Sequence, residues 1–109
     1  MVVRWTDIAE ERLKNIFDYY LDIAGDNAAV KIISKIVDSA DLLGTMPYMA
    51  SEEKYLSGQK FVYRSLVVSK LFKIIYFVDE KLECVVISTI WDCRCDPLKL
   101  QEEIAKQRL

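Results

Sequence analysis

The chain has 109 residues, 52% of them hydrophobic, and its 15 Lys and Arg against 17 Asp and Glu leave a net charge of −2. At that length one core buries roughly 65% of the unfolded surface, which excludes a second domain, so residues 1–109 are read as a single one. The acidic balance argues against a broad phosphate-binding surface, no run reaches the ~20 apolar residues of a membrane span, and no basic-then-apolar leader opens the chain, so a cytoplasmic protein with no membrane partner is expected.

Val2-Val3-Arg4-Trp5 is apolar enough to form a short strand beside the later ones. Ile8, Ala9, Leu13, Ile16, Phe17, Tyr20, Leu21 and Ala24 then recur at helical steps and line one face. Thr6 or Asp7 suits the cap of this helix, Asp7, Glu10 and Glu11 suit its first turn, and Gly25 stops it. Asp26-Asn27 can cap again, and Ala29, Ile32, Ile33, Ile36, Val37, Ala40 and Leu43 repeat the pattern as far as Gly44. Two antiparallel helices joined by about two or three residues follow.

Gly44 to Gly58, with Pro47, Ser51 and Ser57, reads as a loop. Phe61–Val68, Leu71–Val78 and Cys84–Trp91 are runs of about eight residues rich in Val, Ile, Phe and Tyr, the signature of buried strands. Their connections at Ser69-Lys70 and Asp79-Glu80-Lys81 are short enough for a meander. Pro97 suits the first turn of a last helix, Leu98 to Leu109, with Leu98, Ile104 and Ala105 or Leu109 as its apolar stripe. The expected fold is α+β, of order β-α-α-β-β-β: a helical hairpin on a small, mainly antiparallel sheet, plus a short C-terminal helix.

The three cysteines include the closely spaced Cys93 and Cys95, and an odd number does not make a disulfide framework. Zinc wants four ligands, and this chain has no histidine and no second cysteine pair, so neither a metal nor another cofactor is expected. Cys84 lies in an apolar run and reads as a small core residue.

Several features occur in an order and spacing that is similar to the RelE/ParE superfamily of bacterial toxins from type II toxin-antitoxin modules. They are Val3-Arg4-Trp5-Thr6 with Ala9 and Leu13, the helical hairpin, Met46-Pro47, Tyr63-Arg64, Phe72-Lys73-Ile74-Ile75-Tyr76 and Trp91-Asp92-Cys93-Arg94. The two long helices and the tail Asp92-Cys93-Arg94-Cys95-Asp96-Pro97 resemble the ParE and plasmid-stabilisation branch more than RelE. The resemblance implies a growth-inhibiting toxin that a cognate antitoxin binds and neutralises, with the hairpin on one sheet face and the other face concave.

It also implies two alternative mechanisms. ParE-like members bind a protein target such as DNA gyrase, whereas RelE-like members cut mRNA on the ribosome by driving a 2′-hydroxyl onto the adjacent phosphate. The second needs a base, an acid and positive charge on the phosphorane, and Arg94, Arg64 and Lys73 match the basic positions that would supply it. Lysine at 73 gives up bidentate phosphate binding, and histidine, the usual base, is absent. The residues expected to touch a target or the antitoxin are Arg94, Trp91, Arg64, Lys70 and Tyr76, with Leu66, Val68 and Leu71 lining a groove or edge. Each also has a plainer reading: Tyr76 as a core residue, the cations as solvated surface, and Arg94 as half of a surface ion pair with Asp92 or Asp96. A degenerate, non-toxic member is the third possibility.

Overall fold

The computed structural model describes residues 1–106 and has the expected α+β architecture. Its elements are β1 (Val2–Trp5), α1 (Asp7–Ala24), α2 (Asp26–Thr45), β2 (Ser51–Glu52), β3 (Tyr63–Val68), β4 (Phe72–Asp79), β5 (Cys84–Asp92) and α3 (Leu100–Ala105). The five strands lie in the order β1-β5-β4-β3-β2. β1 runs parallel to β5, from Val2 opposite Cys84 to Trp5 opposite Ile87, and the other pairings are antiparallel.

Thr6 caps α1: its Oγ1 accepts from the Ala9 N–H at 3.1 Å and donates to the Ser88 carbonyl at 2.8 Å, so one hydroxyl fixes both the helix start and its seat on the sheet. Thr6→Val keeps the shape and removes both bonds. We expect it to cost about 1–2 kcal/mol, read as a lower urea midpoint with an unchanged m-value.

Gly25 alone joins the two helices, less than the two or three residues expected. Its φ of +86° reverses the chain within one residue and leaves no place for a separate cap, so Asp26 enters α2 as its first residue and no side chain caps that helix. Gly44 does not end α2 but lies within its last turn, where a Cβ would stand 2.8 Å from the Met1 carbonyl oxygen. Glycine is there because β1 passes close.

Ala9, Ile36, Ala40, Leu43, Ile74, Tyr76, Val85, Ile87 and Ile90 form the core between the hairpin and one sheet face. Leu66, Val68 and Leu71, expected to edge a partner groove, are used here instead: Val68 belongs to this core and the other two pack against it. A second cluster of Leu56, Tyr63, Ile75, Phe77, Leu100 and Ile104 covers the opposite face. Between Ile75 and Tyr76 the register steps from Thr89 to Ile87, leaving Ser88 as the extra residue of a bulge. The inward positions of β5 therefore run Val85, Ile87, Ile90, and Trp91 falls on the second face.

Two other expectations are corrected. The segment from Gly44 to Gly58 is more than a loop, since β2 pairs with β3 and a 3₁₀ turn at Lys54–Leu56 buries Leu56. A two-residue strand is too short to show any alternation in sequence. The last helix begins later than Leu98: Asp96 caps a 3₁₀ turn at Pro97–Lys99 by accepting from the Leu98 N–H at 3.0 Å, and α3 follows. Leu98 is 71% exposed, and the buried pair is Leu100 and Ile104, one helical turn apart. Leu109, the alternative stripe position, and Arg108 lie outside the described residues.

Candidate groove and the fate of the basic residues

The basic side chains that would serve a phosphoryl-transfer site are each engaged within the chain. The Arg64 guanidinium donates to the Ala50 carbonyl at 2.7 Å and lies over the Tyr48 ring, 5.3 Å from its centroid. Lys73 is hydrogen-bonded to Glu53, a carboxylate only 5% exposed that also accepts from the Tyr55 N–H at 3.0 Å. Burial alone would raise the Glu53 carboxyl, but the Lys73 ammonium and the Tyr55 amide together hold it below the usual range. Tyr76 is fully buried, its hydroxyl donates to the Pro47 carbonyl at 2.9 Å, and burial pushes its phenol up. Lys70 is exposed on the β3–β4 turn, where Ser69 and Lys70 both take positive φ as a two-residue hairpin requires.

Arg64 and Lys73 are thus not free cations. Arg64 binds a backbone carbonyl, and Lys73 is matched by Glu53. Tyr76→Phe leaves the Pro47 carbonyl without its donor in a part-buried setting. We expect a loss of about 1–2 kcal/mol in unfolding free energy with unchanged growth inhibition at a permissive temperature. Reduced inhibition in a folded Tyr76→Phe protein would count against this structural role.

Arg94 sits on the turn after β5. Its Nε and Nη2 donate to the two Asp92 carboxylate oxygens at 3.0 and 2.8 Å, and its backbone N–H donates to Oδ1 at 2.9 Å. These bonds hold the Asp92 carboxyl below its ordinary range and raise the guanidinium further. The plainer reading of Arg94 as a surface ion pair is met, with Asp92 as the partner. The Arg94 side chain remains 55% exposed, so its outer edge stays accessible.

Arg94 and Trp91 line a groove of about 590 Å³ between α1 and α3, together with Ile16, Tyr19 and Tyr20 of α1 and Ile90 of β5. The indole N–H of Trp91 is buried there without a hydrogen-bond partner. Under the groove, Glu103 is 4% exposed and accepts from Arg12 Nε and Nη2, both at 2.8 Å, and from Thr89 Oγ1 at 2.9 Å. The Arg12 bonds, with help from Thr89, keep its carboxyl low against the opposing effect of burial.

Arg12, Glu53 and Glu103 do not stand out in the sequence, where a charged residue reads as solvated by default. One signal pointed the other way: Glu103 sits three residues after Leu100 and one before Ile104, on the side of the helix those residues bury. Cys93 and Cys95 are free and exposed on the turn, Cys84 is buried, and burial raises the Cys93 thiol. Among the described residues no group of three or more His, Cys, Asp or Glu could hold a metal ion. No helix among them is long and apolar enough to cross a membrane.

The fold recurs in a solved structure titled "Chromosomal ParDE TA system from P. aeruginosa", with a TM-score of 0.70, 22% identity, and coverage of 84% of this chain and 95% of that one. At this identity the likeness is one of fold. No curated protein matches the chain. A family profile described as "ParE toxin of type II toxin-antitoxin system, parDE" matches residues 3–97, from β1 through the Arg94 turn to Pro97. Most of the chain is covered, hairpin and sheet included, and the chain therefore belongs to the ParE toxin family of type II toxin-antitoxin systems.

Proposed function

We propose that this chain arrests bacterial growth by binding a protein target in the cytoplasm, DNA gyrase being the first candidate, and that a cognate antitoxin neutralises it. The observation that carries this reading is the engagement of the side chains an RNA-cleaving site would need. Lys73 is matched by Glu53, Arg64 by a backbone carbonyl and Arg94 by Asp92. A 2′-hydroxyl attack needs a free base and uncommitted positive charge near the phosphate. The alternative, a ribosome-dependent mRNA endoribonuclease, has correspondingly less support.

The test has three arms. Viable counts after controlled expression, alone and with the neighbouring gene, report arrest and rescue; supercoiling by purified gyrase reports target binding; and mapping of ribosome-bound message reports cleavage. Arrest with gyrase inhibition and intact message is the expected result. Codon-placed cuts would move the protein to the enzyme class, and no arrest from soluble, folded chain would make it a non-toxic member. Arg94→Ala tests the groove as the target-binding site. Loss of a centrally placed arginine weakens a protein interface by about 2 kcal/mol or more, roughly thirtyfold, so we expect growth to recover while the melting temperature stays within a few degrees.

A further inference from the structure

Cys93 and Cys95 are free and exposed, one residue apart with Arg94 between them, whereas Cys84 is buried in β5. Cys93, Arg94 and Cys95 share one tight turn. The Cys93 N–H pins its start to the β3–β4 turn by donating to the Leu71 carbonyl at 2.8 Å, and the Cys95 N–H closes it by donating to the Asp92 carbonyl at 3.0 Å. Positive φ angles among the described residues are confined to Gly25, Gly58, Ser69, Lys70 and Glu83, so Cys93 and Arg94 are the central residues of a type I turn. The Asp92 carboxylate braces that turn, accepting from the backbone N–H, Nε and Nη2 of Arg94.

Two residues apart, the Cα atoms of Cys93 and Cys95 lie within about 7 Å of one another, close to the span of a disulfide. Side chains two residues apart on αR backbone point about 200° from each other around the chain, so the turn as it stands holds the two sulfurs apart. A bond between them needs Cβ atoms about 3.8 Å apart, which this segment reaches only by rotating the peptides on either side of Arg94. That rotation gives up the Cys95 N–H bond to the Asp92 carbonyl and carries Arg94 out of its fork with the Asp92 carboxylate. The disulfide and the type I turn exclude each other.

We propose that Cys93 and Cys95 form an oxidation site at which a hydroperoxide makes an intrachain disulfide, and that this bond dissolves the turn that aims Arg94. The Cys95 thiolate attacks the terminal peroxide oxygen: an S–O bond forms, the O–O bond breaks, and the departing oxygen takes a proton and leaves as an alcohol or water. The Cys93 sulfur then attacks the sulfenic sulfur of Cys95, the S–S bond forms, and the hydroxide released takes the Cys93 proton and leaves as water. Two thiols give up two electrons and two protons, and the peroxide takes them up. The order follows from the surroundings, since partial burial raises the Cys93 thiol and leaves Cys95 to open the reaction. A strained, exposed disulfide is readily reduced, so in a reducing compartment the pair rests as thiols with Arg94 held in place. The effect on growth rests on the reading of Arg94 as a target contact proposed above, and adds redox control of that contact.

The test is brief treatment of the full, reduced chain with hydrogen peroxide. We expect a monomer lighter by about 2 Da, in which Cys84 can still be alkylated after unfolding. Trypsin, which cuts after Arg94, should leave the two halves of the turn joined through sulfur. By NMR the Arg94 Nε–H should shift and exchange with water at least about tenfold faster. Inhibition of gyrase supercoiling should weaken about tenfold or more and return on addition of dithiothreitol. Cys93→Ser and Cys95→Ser should each inhibit as the reduced wild type does, with and without peroxide. Sulfinic acid or a disulfide-linked dimer in place of the intrachain bond overturns the oxidation site, and an intrachain bond that leaves the Arg94 signal unmoved overturns its link to the turn. If the reduced chain never inhibits gyrase, the target reading fails, while the oxidation site is still decided by the mass and the Arg94 signal.

Discussion

Arg12→Ala should lower the unfolding free energy by about 3 kcal/mol, because it strands a buried carboxylate whose desolvation is no longer offset. Glu103 is 4% exposed, and Arg12, with 32% of its side chain exposed, supplies two of its three short bonds. The partial exposure of Arg12 places the cost at the low end of the range for buried pairs. In a Glu103→Leu background the same Arg12→Ala change removes a half-solvated cation with nothing to strand, and we expect less than about 1 kcal/mol. Urea titrations of the four proteins close the cycle. Equal penalties in both backgrounds would mean that the pair is not coupled and that Leu100 and Ile104 alone hold α3 in place. The consequence reaches the groove: Arg12 lies on α1 and Glu103 on α3, so this pair ties its two walls together.

The elements were legible in sequence wherever a period could develop. Both hairpin helices and the three long strands fall within a few residues of their expected bounds, because Ala9, Leu13, Ile16 and Tyr20, or Phe72, Ile74, Tyr76 and Val78, repeat long enough to define a face. The place of Val2–Trp5 beside the longer strands followed from its apolar composition, whereas its parallel pairing with β5 did not show. What failed to show was anything set by one residue or by a contact between distant segments. Gly25 acts alone as the connection, and Ser88 shifts the alternation of β5 without a marker such as glycine.

The site was less legible, for a physical reason. Charge in a sequence carries no information about burial, and the default that charged residues are solvated assigns Glu53, Glu103, Arg12 and Lys73 to the surface. Their partners are far away in the chain, with Arg12 and Glu103 separated by 91 residues and Lys73 and Glu53 by 20. Arg94 and Asp92 were readable as a pair because they are two residues apart. The resemblance placed Arg64 and Lys73 among the basic positions of a phosphoryl-transfer site and Tyr76 among the residues that touch a target or the antitoxin. Here the fold spends them on the contacts that bind β2 and the Pro47 loop to the sheet.

Lys73→Met discriminates these roles through its pH dependence. Glu53 in the folded chain is held below the usual carboxylate range by Lys73 and the Tyr55 amide. A depressed folded value makes the ion pair's contribution complete above the unfolded value of about 4.3 and lost as pH falls through the folded one. The variant removes the ammonium and keeps the burial, so Glu53 should titrate above its ordinary value and fold best when protonated. At pH 7 we expect wild type to exceed Lys73→Met by about 3 kcal/mol, and the difference to shrink as the pH falls below about 4.3. Glu53→Gln added to Lys73→Met should recover most of the loss at pH 7 by replacing the stranded charge with a neutral amide. If that double variant is folded and still arrests growth, the lysine supplies structure and no chemistry. If it is folded and harmless while Arg94 is intact, the Lys73 ammonium acts on the target itself, and the protein-binding mechanism proposed here is wrong at that residue.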